Sequence, residues 1–403
     1  MTVDVLRRPA QAERRARVAV AVLFFTNGAL FANLLPRYPQ IKADLQMGNA
    51  TYGLAIAAFP TGAIAAGLAA GILIRRLGSA RVAVASTLLT GAGILAAALA
   101  DSVVLFAGAL FLAGAMDAIT DVAQNAHGLR VQRRYGRSII NSFHAIWSIG
   151  AVTGGSMAAG AIALGLPRGQ HLLVSAAVFA AAACVALRFC LPGPETEPVA
   201  DAETTDSRDP RPARRTTTGA RTAYVLGALV LIATAGTLVE DAGNSWAALY
   251  LSGSLHASAA LAASGYIALV GAQFVGRLLG DRLVDRFGQR TVARTGGLIT
   301  AVGMGTALAV PTVPGTVLGF AAAGLGSATL VPAAMHEADE LPGLKPGSGL
   351  TVVSWLMRLG FLVSPPVVGL VADAANLRVG LLVVPLAGLL VLSLAGVLQA
   401  RRR

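Results

Sequence analysis

Two aspartates stand one helical turn apart in an otherwise apolar run: "AGAMDAITDVAQNAHG", residues 113–128, carries Asp117 and Asp121. With Asn125 they are spaced i, i+4, i+8, so a helix puts all three on one polar stripe. Two carboxylates this close in a poorly hydrated place repel one another, and binding a proton relieves the repulsion. The pair is therefore suited to taking up and releasing a proton. The alternative is a packing role, in which one aspartate is hydrogen-bonded to Ser, Thr or Arg and never titrates.

A second acidic pair, Glu240 and Asp241 in "EDAGNSWAALYL" (240–251), has a different geometry. Adjacent residues point about 100° apart on a helix, so the two cannot both face one centre. We place Glu240 inward and Asp241 toward a neighbouring helix or water. Arg358, in "VVSWLMRLGF", is a cation in an apolar run. It either pairs with Glu240 or Asp241, or binds an anionic group of a ligand. His144, in "NSFHAIWSIG", is either a proton relay or a hydrogen-bonded packing residue, while His127 and His336 lie near helix ends and carry little weight. Trp147, Trp246 and Trp355 are the tryptophans of the chain. Trp147 and Trp355 lie several residues inside apolar runs, where an indole stacks on a ring, whereas Trp246 suits an interfacial belt. Asn27, Asn33, Asn141, Asn244 and Gln273 offer hydrogen bonds to hydroxyls. The combination suits a polyol or sugar-like ligand better than a bulky lipophilic one.

These groups need a scaffold, and composition identifies it. Of 403 residues, 55% are hydrophobic and 13% charged, with a mean hydropathy of +0.67. Soluble domains run near ~25% charged. A polytopic α-helical membrane protein follows, and a closed barrel is excluded because alternating short strands are missing from the pattern. The net charge of +12 sits in short loops between apolar runs, so it reads as topology and not as a nucleic-acid surface. Cys184 and Cys190 fit neither a CxxC motif nor a metal site and read as packing residues. No nucleophile–base pair or metal cluster stands out, so no enzyme activity, metal or cofactor is expected. The glycines of "GGSMAAGAIALG" read as helix packing.

A ruler of about 20 apolar residues per crossing places spans near 18–38, 51–74, 83–100, 103–126, 139–164 and 171–192. They resume near 222–251, 258–280, 291–310, 314–335, 349–373 and 379–399. The expected organisation is a tail (1–17), a six-helix bundle (18–192), a linker (193–221), a second bundle (222–399) and a short tail (400–403). The linker, rich in Pro, Thr and charge, reads as disordered or loosely helical. One side collects Arg7, Arg8, Arg14, Arg15, Arg17, Arg75, Arg76, Arg81, Arg130, Arg133, Arg134, Arg137, the linker arginines, Arg282, Arg286, Arg290 and Arg401 to Arg403. The other holds Arg37, Lys42, Arg168 and Arg378. The first side is then cytoplasmic, with both termini on it. From Arg130, Asp121 lies about 13 Å inward, near mid-membrane, with Asp117 a turn deeper. The halves repeat: Gly78 and Gly288, Gly114 and Gly324, and Gly150 and Gly360 each differ by 210 and fall in equivalent spans.

The stretch "GRLLGDRLVDRFGQR" (276–290) resembles the cytoplasmic loop signature of the major facilitator superfamily, with Asp281, Asp285, Arg286, Gly288 and Arg290 as the gate motif. The glycine serves a tight turn, and the Asp caps a helix or pairs with an Arg. In the first-half copy, "GILIRRLGSAR", Arg75 stands where the Asp is expected. The stretches 121–150 and 240–251 resemble the fucose-permease-like and rhizopine-transporter-like (MosC-like) bacterial branch. That branch carries E-G-x-x-x-D-W-S around the seventh span. Glu240 and Trp246 match it, Asp241 replaces the glycine and Ser245 the aspartate. Asp121, of the two aspartates, matches the family position.

The resemblance implies twelve transmembrane helices in two pseudo-symmetric six-helix bundles of the cell membrane. It implies a secondary active transporter that moves a small polar solute by alternating access, as a proton symporter. Asp117, Asp121, Glu240 and His144 are the expected proton-coupling residues. Asn27, Asn125, Trp147, Asp241, Asn244, Trp246, Gln273, Trp355 and Arg358 are the expected substrate contacts. Proton-driven efflux of a drug or natural product, and a non-transporting membrane sensor, are the competing readings. The expected partners are a small-molecule substrate, protons and the bilayer, with no nucleic acid, and the chain is expected to be a monomer.

Overall fold

The computed structural model describes residues 11–136, 139–192, 219–342, 344 and 348–399, without the side chains of Leu68 and Asn141. Residues 1–10, Arg137, most of the expected linker (193–218) and 400–403 lie outside the described residues, as does the expected hydrogen-bonding side chain of Asn141.

The first half comprises α1 (Gln11–Leu34), α2 (Tyr38–Asp44), α3 (Asn49–Ile56), α4 (Ala58–Leu77), α5 (Ser79–Leu99), α6 (Val103–Tyr135), α7 (Ile140–Ala163) and α8 (Arg168–Leu187). The second half comprises α9 (Ala220–Leu249), α10 (Ala259–Phe287), α11 (Gln289–Ala309), α12 (Val313–Ser327) and α13 (Leu330–Asp339), followed by α14 (Ser348–Leu356), α15 (Arg358–Ala374), α16 (Leu377–Gly380) and α17 (Val383–Leu394). Eleven helical segments among the described residues are long and apolar enough to cross a membrane. α11, 21 residues long with Arg290 and Arg294 in its first turns, completes the twelve-helix architecture.

Four expected single spans are broken helices, the twelfth at Leu381 and Leu382 between α16 and α17. Pro60 has no N–H for the Ile56 carbonyl and its ring crowds that oxygen, so the second span divides at Ala57 into α3 and α4. Pro332 acts in the same way on Ala328 and divides the tenth span into α12 and α13. The eleventh divides at Met357, whose carbonyl accepts a hydrogen bond from Thr237 Oγ1 at 2.9 Å. Other helices run past the expected bounds. α1 begins at Gln11, its first turns carrying Glu13, Arg14, Arg15 and Arg17, and α6 and α10 extend to Tyr135 and Phe287.

The duplicated glycines work in pairs. Gly78 and Gly288 each form the whole turn between two helices, at φ 84° and 83°, a conformation that favours glycine. A Cβ on Gly114 would run into the backbone carbonyl of Phe59, and one on Gly324 into that of Leu269. Their partners also differ by 269 − 59 = 210, so the same close helix crossing occurs once in each half.

Candidate functional site

A cavity of about 270 Å³ lies between the halves. On the first-half side, Asn27 is its organising residue. Its Nδ2 donates to Asp117 Oδ1 at 2.7 Å, and its Oδ1 accepts from Trp147 Nε1 at 2.8 Å and from Gln124 Nε2 at 3.5 Å. With donors on one side and a carboxylate on the other, the amide has one orientation that satisfies every partner. Phe31 and Phe59, stacked at 4.1 Å between centroids, supply an apolar wall beside this polar group. Asp117 lines the cavity, while Asp121, one turn nearer the arginine-rich face, is exposed and accepts from Asn125 Nδ2 at 3.0 Å. Asp121 lies near His144 on α7 and Arg358 on α15, so the expected stripe faces the space between the halves.

The second half holds its acid in a similar way. Gln273 Nε2 donates to Glu240 Oε2 at 2.7 Å, and Arg277 reaches the same oxygen at 3.4 Å. Arg358 is expected either to pair with Glu240 or Asp241 or to bind an anionic group of a ligand. It makes no ion pair among the described residues, and it lines the cavity as a free cation. Arg277 was missed because the eighth span was expected to end at 280. The helix runs on to Phe287, so Arg277 lies ten residues, about 15 Å, inside it. The glycine at 288 was the available signal, since a C-terminal glycine marks where a helix stops.

Both residues of the second acidic pair reach the cavity. Glu240 is half-buried, whereas Asp241 is buried to 8% exposure at the cavity floor. Ser245 Oγ donates to Asp241 Oδ1 at 3.3 Å, while Oδ2 has no hydrogen-bond partner. Asn244 also lines the cavity, with its side-chain oxygen unpartnered.

Below the floor, toward the face opposite the arginines, the halves are joined. Tyr52 donates to the carbonyl of Ser245 at 2.8 Å. The Asp373 carboxylate at the end of α15 accepts from the backbone N–H groups of Asn49 and Ala50 at 2.9 and 2.8 Å, capping α3 from the other half. Gly53 packs on the Pro365 carbonyl and Gly369 on that of Asn49, so backbones meet without intervening side chains. On the arginine-rich side, by contrast, Asp121, His144, Arg277 and Arg358 are exposed. Charges at that depth need water around them, so the cavity opens toward the arginines.

Several expected contacts are not part of the cavity. Trp246 is fully buried against Tyr52, edge-on at 5.0 Å, in the seal and not at an interface. Trp355 is 61% exposed and does not line the cavity. Asn33 turns into its own bundle, where His171 Nε2 lies 2.9 Å and Ser175 Oγ 3.2 Å from its side-chain oxygen. His127 joins Ser79 Oγ at 3.0 Å to the backbone N–H of Leu191 at 3.2 Å, a structural tie. In the gate motif, Asp281 and Asp285 are exposed and make no ion pair among the described residues. Arg286 lies over the Phe287 ring, and Arg290 Nε donates to the Leu398 carbonyl at 2.9 Å. Tyr38, Tyr266 and Phe361, which the sequence did not single out, line the cavity.

The profile of the Major Facilitator Superfamily matches residues 20–283 and 230–403. The chain is 30% identical over 380 residues to the uncharacterized transporter y4wD of Sinorhizobium fredii, covering 94% of this chain and 97% of that one. It is 28% identical over 372 residues to the membrane protein MosC of Rhizobium meliloti, covering 92% and 87%. Among solved structures, the nucleoside transporter NupG superimposes with a TM-score of 0.68 at 13% identity, covering 96% and 99%. The D-xylose-proton symporter does so with 0.69 at 16% identity, covering 94% and 96%.

Proposed function

The chain belongs to the major facilitator superfamily and is a multi-pass membrane transporter, and from that premise we propose that it carries a small polar solute by alternating access, coupled to protons in symport. The observation that supports this reading best is the cavity between the halves. It is closed at one end by contacts between the two halves, open at the other, and lined by carboxylates that amides hold in place. Its size falls just below the ~300–1,000 Å³ of ordinary ligand pockets, which favours a small cargo. Rings of Trp147, Phe31 and Phe59 stand beside Asn27, Asn244 and Gln273, a mixture that suits a ring or chain bearing hydroxyl groups. The relatives with solved structures include one named for a sugar and protons and one named for nucleosides.

In this reading the arginine-rich face is cytoplasmic, both termini lie there, and the conformation is the inward-open one of a monomer in the cell membrane. Cargo enters from outside when the Tyr52–Ser245 and Asp373–α3 contacts part. It binds between the halves and leaves past Asp121 and His144. Asp117 and Asp121 carry the proton, and Arg358, which Glu240 leaves free, meets a polar or anionic group of the cargo.

A thermal-shift screen of the purified protein against sugars, polyols, amino acids and antibiotics, at two pH values, tests the substrate class. Stabilisation by a polyhydroxylated compound is expected, and stabilisation by lipophilic antibiotics alone would replace this reading with efflux. For the compound found, Asp121→Asn is expected to abolish proton-driven accumulation in proteoliposomes while sparing exchange. Unchanged proton-coupled uptake would remove Asp121 from the mechanism.

A further inference from the structure

Asp241 is the most buried acid among the described residues. It is set on α9 one turn before Ser245, whose carbonyl receives the Tyr52 hydrogen bond from the other half. The groups facing it come from several elements. Glu240 stands beside it on its own helix, the phenols of Tyr38 on α2 and Tyr52 on α3 approach from the first half, and Ser364 approaches from α15. From α10, Gln273 and Arg277 are directed at Glu240. Asp241 makes no ion pair among the described residues, and the buried Ser364 Oγ approaches its carboxylate without either that hydroxyl or Oδ2 closing a hydrogen bond of good geometry. Arg358 on α15 lines the same cavity but makes no ion pair with it, and the charged group beside it on α9 is another acid, Glu240.

A bare carboxylate in such a place is strongly disfavoured, because desolvation removes its water and no opposite charge replaces it. The surrounding donors and acceptors are oxygens: the carboxylate, the Ser245 and Ser364 hydroxyls and the side-chain carbonyl of Asn244 one turn along. That set accepts a proton on Oδ2, or a hard monovalent ion among the oxygens.

On the carrier reading, we infer that Asp241 is a monovalent-cation site, filled by H⁺ or Na⁺ from the outer side, whose neutralisation allows the seal between the halves to close. With the seal open, water solvates the carboxylate and the cation enters. Closure buries Asp241, and an empty anionic site resists burial. The cation then leaves through the inward-open cavity, where Glu240 and Arg277 meet water. The closing step is then coupled to the cation through Asp241 on α9, in the other half from Asp117 and Asp121 on α6.

The test needs no knowledge of the cargo. Cys184 and Cys190 are replaced by serine, and spin labels are placed at Ala43→Cys and Ala375→Cys, exposed positions on the two sides of the seal. The label–label distance is measured in lipid nanodiscs from about pH 5 to about pH 9, with and without Na⁺. The closed fraction relative to the open is expected to fall up to about tenfold per pH unit where only the closed form holds the cation. Asp241→Asn, neutral and of the same shape, is expected to stay closed throughout, while Asp101→Asn, the same change at an exposed acid between α5 and α6, keeps the wild-type response. Restoration of the closed form at high pH by Na⁺, and not by K⁺, identifies the ion as sodium, and no restoration identifies the proton. Asp373→Ala, which removes the cap on α3, is included as a variant that opens the seal by another route. Two distances in Asp373→Ala together with no cation response in the wild type, or an undiminished response in Asp241→Asn, would overturn the inference and leave the carrier reading standing. A single distance in every variant would overturn both.

Discussion

Each half of the molecule holds a carboxylate within the membrane by an amide at 2.7 Å: Asn27 on Asp117 in the first, Gln273 on Glu240 in the second. The backbone repeat does not relate these pairs. Adding 210 to 27 and 117 gives Thr237 and Ser327, and subtracting 210 from 240 and 273 gives Leu30 and Ala63. The glycine contacts do follow the repeat, Gly114 on Phe59 and Gly324 on Leu269. Duplication has therefore conserved the close helix crossings, where a change of volume collides with backbone. The polar groups have been set independently in each half. Only the second half adds a cation, Arg277, to its pair.

The largest expected effect tests the shared scaffold. Gly114→Val and Gly324→Val each force a side chain into a backbone carbonyl, and each is expected to cost about 3 kcal/mol or more. Both are expected to lose the monodisperse peak in size-exclusion chromatography. A variant that is tolerated in one half alone would break the equivalence of the two crossings. The next effect separates the acid pairs. Glu240→Gln strands Arg277, but that arginine is 41% exposed, so solvent limits the loss to about 1 kcal/mol. A fall in Tm that is larger at low salt than at high salt is expected for Glu240→Gln. Asp117→Asn, with no arginine to strand, is expected to show no such salt dependence.

Smaller still is Trp147→Phe. It removes the indole N–H that orients Asn27, at a cost of about 1 kcal/mol. The equivalent position, Met357, carries no such donor, so Met357→Leu is expected to leave Tm unchanged. Last, Cys190 lies beyond the end of α8, and burial pushes its thiol up to about 11. Its thiolate is therefore scarce at neutral pH, and maleimide labelling is expected to rise about tenfold per pH unit until that value is approached. A profile that levels off near the ordinary thiol value of about 8.5, instead of still rising at about pH 10, would show that the end of α8 opens to solvent.

The sequence carried the scaffold because membrane spans and glycine spacing are local signals. Asp117, Asn27, Glu240 and Gln273 were legible for a related reason: a polar group in a long apolar run has to be accounted for. What it did not carry depends on residues distant in the chain. Tyr52 and Ser245 are 193 residues apart, and Asn49 and Asp373 are 324 apart, with no periodicity linking them. Arg277 was lost to a helix boundary, and the burial of Trp246 to the seal that forms around it. For Arg358 the sequence leaves open a pairing with Glu240 or Asp241 and a ligand contact; Arg277 takes the place beside Glu240, and Arg358 makes no ion pair among the described residues.

The Asp373 cap has a consequence for how motion can be observed. The first turn of α3 owes two of its amide bonds to a carboxylate belonging to the other half. Whenever the halves part, those two N–H groups face solvent and exchange with deuterium, whatever the cargo and without any label. The exchange rate at Asn49 and Ala50 thus counts partings of the halves at this face, and a ligand that holds them together or apart would slow or hasten it.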